Sequence, residues 1–178
     1  MARKKKTEVI KTQESAITYS GQVTVKKIKG GKVVSTTTTH NEGTKNLFKF
    51  ILNCLAEKWI PSARPSWVST GKFSSDSPNV VKYVSNTCSK LTQPPEVLES
   101  GDDVYVEYKF LLPSKPQYAT TGFNCLLLYS DDKKPAVVAD GQNVDTGYSM
   151  IVRFDTIHQA SDEETLIIWQ LKVLNPTV

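Results

Sequence analysis

Short runs of β-prone residues, each bounded by turn residues, recur over most of the chain and constrain its fold most strongly. Residues 104–112, 149–155 and 165–173 alternate between apolar and polar side chains. Residues 122–129 (GFNCLLLY) are nearly all apolar, which is typical of a central strand buried on both faces. Turn clusters such as 101–103 (GDD) separate these runs. The pattern predicts a mainly β domain, a jelly-roll-like β-sandwich of about eight or nine strands.

A β-hairpin is indicated near the start of this pattern. Val23 and Val25 belong to the first of two β-prone runs, and the second continues through the threonines at 36–39. Between the two runs lies the pair Gly30-Gly31. Because glycine accepts the positive φ of a tight turn, the pair predicts a short hairpin loop.

One segment has the period of a helix. Thr44 can cap a helix by accepting a backbone N–H, and Pro61 prevents the helix from continuing. Between them the apolar side chains fall on one wide face. We therefore expect one amphipathic helix over residues 44–59, packed on the sheet. The side chains expected to be buried are Leu47, Phe48, Ile51, Leu52 and Leu55.

Charge is distributed unevenly along the chain. Residues 1–72 hold 14 of the 22 Lys and Arg but 4 of the 18 Asp and Glu, a net charge of +10, which leaves −6 for residues 73–178. Residues 1–14 are polar and are predicted to form a flexible basic arm ahead of a single domain, residues 15–178. The arm is either a solvated tail or an assembly arm, whose contacts would be made by Arg3, Lys4, Lys5 and Lys6.

Catalytic chemistry is not indicated by the residues present. Nucleophilic catalysis needs a base near the nucleophile, and the only two histidines, His40 and His158, lie far apart in the sequence. Cys54 and Cys125 lie in apolar contexts that favour a role in the core. The third cysteine, Cys88, is at a strand end and stays undecided. We therefore expect no enzymatic activity and no catalytic residue.

Metal and cofactor sites are not indicated either. The chain contains no CxxC or HExxH motif, and its glycines do not have the spacing of a phosphate-binding loop. The acidic residues cluster in turns, where aspartate is favoured for backbone reasons. A weak calcium site at Asp140, Asn143 and Asp145 is the open alternative. We expect no bound metal and no cofactor.

Compartment and membrane contact can also be judged from the sequence. Three cysteines, none close to another in the sequence, do not suggest a disulfide framework and favour synthesis in a reducing cytoplasm. No apolar run is long enough to span a bilayer, so we expect no membrane contact.

Contact with nucleic acid is an alternative raised by the basic hairpin. Its lysines are Lys26, Lys27, Lys29 and Lys32. A basic β-ribbon can follow a phosphate backbone, but no aromatic residue is interleaved with these lysines for base stacking. Lysine on an exposed strand is also a common protection against aggregation. We therefore expect that nucleic acid is not the main partner of this protein.

The segment that joins the hairpin to the helix resembles a known family of proteins. The residues that carry it are His40, Asn41, Gly43, Thr44, Asn46, Leu47, Phe48 and Phe50. This strand followed by an HN-x-GT-x-NLF-x-F helix resembles small structural proteins in the virions of tailed bacteriophages, particularly the crAss-like phages of gut Bacteroidales. The closing run TLIIWQLKVLN is similar to the ends of such domains.

The resemblance implies a role in assembly. A protein of this kind is expected to be a subunit of a symmetric homo-oligomer in the virion, in contact with other virion proteins and made in the host cytoplasm. Head, collar and tail components share the layout, so a tail or collar ring, a head fibre or a capsid decoration are all implied.

Exposed aromatic residues in loops are the candidate interface. Residues 61–78 are rich in serine and proline and are predicted to form a long loop, with one short strand within it as the alternative, that carries Trp67 and Phe73. Tyr118 near Pro116 is the third candidate anchor. Alternatively, these side chains fold back on the core. A second function, a carbohydrate- or receptor-binding module, would use Trp67, Tyr118 and Tyr148 to stack on sugar rings. A hydrolase is the third and weakest hypothesis.

Overall fold

The protein is mainly β. The structure, a computed structural model, describes residues 18–43, 45–56, 58, 61–73, 80–84, 88–101, 103–135, 139–144 and 147–174. Its strands are β1 (Thr18–Lys29), β2 (Lys32–Gly43), β3 (Pro65–Phe73), β4 (Val81–Tyr83), β5 (Ser89–Lys90), β6 (Glu96–Ser100), β7 (Asp103–Leu112), β8 (Phe123–Ser130), β9 (Met150–Ile157) and β10 (Glu163–Leu174). Its helices are α1 (Lys45–Leu55) and α2 (Pro116–Thr120), with a 3-10 turn at Pro61–Ala63. The predicted mainly β fold with an amphipathic helix is confirmed, with ten strands rather than eight or nine.

All the strands belong to one antiparallel sheet that folds over on itself. The strand order is β4-β3-β8-β9-β2-β1-β10-β7-β6, and β5 pairs with β3. β2 connects the two halves, because it pairs with β1 up to His40 and with β9 from Asn41. On the other side, Leu91 follows β5 and bridges to Phe110 of β7. The two halves are therefore joined along both sides and face each other across the core.

The main core lies between the two halves. It is built from strands of both, and its buried members include Val23, Val25, Val68, Phe110, Leu126, Leu128, Val152, Ile167 and Trp169. A second cluster covers the outer face of β8, where Cys125, Leu127 and Tyr129 pack with Val81 and Ile151. β8 is thus buried on both faces, which confirms the prediction made from its apolar sequence.

The predicted hairpin is also confirmed. β1 and β2 pair antiparallel, and Gly30 and Gly31 connect them with φ values of 55° and 76°. Both residues therefore have the positive φ of a type I′ turn, the loop whose twist suits a two-stranded ribbon.

The predicted long loop over residues 61–78, with at most one short strand, is wrong for residues 65–73, which form a strand of nine residues. Residues 65–73 form β3, which lies between β8 on one side and β4 and β5 on the other. The serine-rich composition misleads because Ser66, Ser69 and Thr70 are buried within the sheet. Pro65 occupies the first position of the strand, where proline is tolerated. Residues 74–78 lie outside the described part of the chain.

The helix is shorter and less buried than predicted. It is described from Lys45 to Leu55, and it ends before the predicted boundary at 59, since Ala56 and Lys58 are not helical; Thr44 and Trp59 lie outside the described residues. Leu47 is buried and Ile51, one turn later, packs against the core. Phe48 and Leu52 were predicted to be buried, but they are 44% and 64% exposed. The helix contacts the core through Leu47 and Ile51, whereas Phe48 and Leu52 of the predicted apolar face stay largely exposed. The side chain of Leu55 is outside the described residues.

Candidate assembly surfaces

The first candidate surface is the outer edge of β2. Residues 32–38 pair with β1 on one side, whereas β9 joins β2 only from Asn41 onward. Within the described residues, no strand pairs with the other side of 32–38. The ribbon is exposed there on both faces, and Val33 and Val34 are 55% and 51% exposed. Backbone N–H and C=O groups along such an edge are available to another strand.

The charge of this ribbon is basic but partly neutralised. Lys29 lies 3.0 Å from Asp162, and Lys27 lies 3.4 Å from Glu163. The hydrogen bond between Lys29 and Asp162 raises the pKa of the lysine and lowers the pKa of the aspartate. In the described part of the chain, Lys32 has no acidic side chain within ion-pair distance. Two of the four lysines that suggested nucleic-acid contact are therefore engaged within the subunit.

The second candidate surface is the outer edge of β6. This strand pairs with β7 and, so far as the structure describes the chain, with no other strand. Val97 lies opposite Val106, and Val104 lies two residues before Val106 on the same face. This face carries Tyr108 and Phe110 into the core further along β7, but Val97 and Val104 extend past the core and are 68% and 48% exposed.

The β6 edge is acidic. Glu96 is 3.6 Å from Lys109 and Asp103 is 2.5 Å from Lys172, whereas Glu99 has no ion pair among the described residues. Burial acts to raise the pKa of Glu107, but hydrogen bonds from Lys109 and Gln170 outweigh it and lower that pKa. The Glu107 carboxylate therefore stays ionised at neutral pH.

The candidate anchor Tyr118 is not on a surface. It belongs to α2, which turns the tyrosine into the main core, where its ring meets Phe123 edge-on at 5.2 Å. The sequence suggested exposure because Tyr118 follows a proline in a polar segment. That proline instead occupies the start of a short helix, a position that suits its fixed φ. The prediction that Tyr118 anchors an interface is wrong.

The other two anchors, Trp67 and Phe73, are half-buried against the second cluster. The indole N–H of Trp67 donates to Asp131, and the ammonium group of Lys134 lies 4.2 Å from the centre of its ring. The Arg153 guanidinium lies 3.9 Å from the centre of the Phe73 ring. Each ring thus has a cation of its own chain against it. Their role at an interface stays a prediction, and the arm residues Arg3 to Lys6 lie outside the described residues.

These positions bear on the sugar-binding alternative. Tyr118 is inaccessible, and Lys134 lies over the Trp67 ring that a sugar would need. The third aromatic residue, Tyr148, is half-buried with its ring edge-on to Tyr129 at 6.3 Å. The stacking surface that the sequence suggested is therefore not assembled by these three residues.

The cysteines and histidines considered for nucleophilic chemistry lie on separate elements of the fold. Cys125 is buried, and burial raises the pKa of its thiol to about 12, so the thiol is neutral at physiological pH. His158 lies 3.2 Å from the carbonyl oxygen of Ala119 through Nδ1, and His40 is exposed on β2. Cys54 and Cys88 are half-buried, and neither is in a disulfide.

The same described residues bear on metal binding and on membrane crossing. No group of three His, Cys, Asp or Glu side chains is placed to hold a metal ion in the ranges that the structure describes. Asp140 and Asn143 of the calcium alternative are exposed, and Asp145 is outside those ranges. None of the described helices is long and apolar enough to cross a membrane.

A groove beside β4 has a volume of about 480 Å³. Phe73 and Tyr83 contribute apolar walls, and Lys72, Lys82 and Asp140 contribute charges. The Lys72 ammonium donates to the carbonyl of Thr121 at 3.1 Å. The described lining of the groove therefore carries charges of both signs.

Comparison of the chain with protein-family models, with curated proteins and with solved structures finds no match in any of the three. The function must therefore be inferred from the two open edges and from the resemblance carried by residues 40–50.

Proposed function

We propose that this protein is a non-enzymatic structural subunit of a tailed-phage virion, which assembles with copies of itself into a symmetric oligomer. A tail or collar ring is the form that we favour, with a head fibre or decoration as the related possibilities. The observation that carries the proposal is the pair of open sheet edges, β2 and β6, with exposed valines on both.

The contrast with β4 gives these edges their weight. β4 ends the sheet on the other side, and the chain itself covers its outer edge. There the backbone N–H of Tyr83 donates to the carbonyl of Gln142 at 2.9 Å, and the backbone N–H of Val144 donates to the carbonyl of Val81 at 2.8 Å. An open edge with apolar side chains is a hazard for a monomer, because unrelated chains can pair with it. Coverage by a partner removes that hazard.

The assignment to a phage virion rests on the resemblance of the segment from His40 to Phe50. A basic N-terminal segment and two open edges of opposite charge are consistent with a subunit that contacts several neighbours. The carbohydrate-binding alternative receives less support, because Tyr118 is buried and Trp67 is covered.

The test is the mass of the purified protein in solution, measured by light scattering after gel filtration and by native mass spectrometry over a range of concentrations. We expect a defined multimer. Mass spectrometry of purified phage particles should also detect the chain at a constant copy number. A chain that is monomeric at every concentration and absent from particles would overturn the proposal.

A further inference from the structure

We propose that residues 32–38 of β2 in one subunit pair with β6 in the next, so that neighbouring copies join head to tail through one continuous sheet. The inference rests on the proposed self-assembly and names the surfaces that meet. Its partner is a second copy of this chain.

Charge favours this pairing over the pairing of like edges. The β2 ribbon carries Lys32 without an ion-pair partner in the described residues, and β6 carries Glu96 and Glu99. Two β6 edges placed together would bring four carboxylates from these positions into one small area. Two β2 edges would offer Lys32 no carboxylate, because residues 32–38 contain no Asp or Glu. Like charges across paired strands are destabilising, whereas opposite charges contribute favourably and guide the encounter.

The apolar side chains also match. Val33 and Val34 are consecutive, so they point to opposite faces of the ribbon. Val97 and Val104 share a single face of the β6–β7 pair. Whichever face of the ribbon aligns with that side, one of its valines can cover Val97. The five residues of β6 are the shorter strand, and the open part of β2 is long enough to pair with all of them.

The position of the two edges determines the kind of assembly. Both belong to the half of the sheet ordered β2-β1-β10-β7-β6, at its opposite sides. Joining β6 of one copy to β2 of the next therefore continues the same sheet through every subunit. Because the two surfaces differ, the contact is heterologous and yields a closed ring or an open filament.

Two substitutions test the pairing. Val34→Glu places a carboxylate against the acidic β6 edge, and Val97→Lys places an ammonium against the basic ribbon. Each variant alone should associate at least about tenfold more weakly than the parent. An equimolar mixture of the two should regain the parental mass, because each intact edge finds an intact partner and the introduced carboxylate meets the introduced ammonium at the remaining contacts.

Matched controls separate this result from a general effect of a charged substitution. Leu52→Glu and Leu52→Lys make the same changes on α1 at a side chain that is 64% exposed, close to the 68% of Val97. Both controls should assemble like the parent. Unchanged circular dichroism and melting temperature should confirm that all variants fold.

Cross-linking gives a readout that needs no loss of assembly. In a Cys54→Ser, Cys88→Ser background, a chain with Val34→Cys is mixed with a chain with Val97→Cys and treated with a flexible bis-maleimide. We expect the mixed dimer to form and each chain alone to give none. Cross-linking of Val34→Cys or Val97→Cys chains to themselves would overturn head-to-tail pairing.

The outcomes also distinguish this inference from the proposed function. If the parent protein is monomeric, self-assembly itself is wrong. If the parent assembles and either single variant assembles as well as the parent, self-assembly stands and the β2–β6 contact is refuted.

Discussion

Tyr108 shows how a single buried hydroxyl couples this fold to pH. Burial raises the pKa of Tyr108 from 10.0 to about 12. The folded protein therefore holds this proton more tightly than the unfolded chain does. The contribution of Tyr108 to the free energy of unfolding is therefore fully present below pH 10 and is lost as the pH rises toward 12.

Tyr108→Phe removes this titration. Between pH 10 and about 12, the free energy of unfolding should fall less steeply in the variant, by about 1.4 kcal/mol per pH unit. Denaturant titrations at several alkaline pH values measure the slope. Cys125 titrates over part of the same range, since the pKa of its thiol is also raised to about 12, so both proteins keep Cys125. Parallel slopes for variant and parent would contradict the prediction.

Leu47 and Leu52 provide a second comparison between single residues. Leu47 is buried in the main core, whereas Leu52 on the same helix is 64% exposed. Leu47→Ala should lower the free energy of unfolding by about 2–5 kcal/mol, because it removes buried methyl groups and leaves a cavity. Leu52→Ala is the control and should change it by less than about 0.5 kcal/mol. Equal effects in urea denaturation would mean that α1 packs differently.

At the scale of elements, the sequence predicts best those strands whose apolar residues either alternate with polar ones or form an unbroken run. β7, β9 and β10 follow predicted alternation, and β8 follows its apolar run. β3 was missed because its buried face includes serine and threonine, whose burial depends on neighbours distant in sequence. The exposure of Phe48 and Leu52 could not be predicted, since helical periodicity shows which side is apolar but not how much of it the sheet covers.

The β1–β2 turn is the element whose geometry follows most directly from its residues. An added Cβ at Gly30 or Gly31 meets no atom within 4 Å, so only the backbone conformation restricts substitution. Gly30→Asn should change stability by less than about 0.5 kcal/mol, because Asn-Gly suits a type I′ turn. Gly31→Val should destabilise the protein by about 1–2 kcal/mol, because a β-branched residue disfavours positive φ. Thermal unfolding of both variants measures the difference, and equal melting temperatures would exclude this turn type.

At the scale of the whole molecule, the candidate surfaces could not be predicted from sequence. Whether a strand lies at an edge depends on the partners it finds across the whole chain, as the covered β4 and open β6 demonstrate. The sequence suggested exposed aromatic residues as interface anchors, and one of them, Tyr118, is buried. The separation of basic and acidic segments was the one signal that pointed toward complementary surfaces.

The basic arm leads to a prediction at this scale that depends on charge alone. Changing Arg3, Lys4, Lys5 and Lys6 to Ser should leave the melting temperature nearly unchanged and weaken assembly. The loss should be larger at low ionic strength, where screening of the attraction to an acidic neighbour surface is weak. Sedimentation at low and high salt measures this. Identical association of variant and parent at every ionic strength would show that the arm has no role in assembly.

The ladder between β1 and β10 also affects how the protein is made. Thr18 lies opposite Leu174 and Lys29 lies opposite Glu163. Among the described strands β1 is therefore translated first, but its partner β10 is translated last. The ribosome must release β10 before β1 acquires its second neighbour, and pairing across so much intervening chain is slow. During that delay nascent chains on one polysome expose the same unfinished strands to each other. If copies assemble, the order of synthesis therefore acts together with the affinity between them. It influences whether two copies meet before or after each has closed its own sheet.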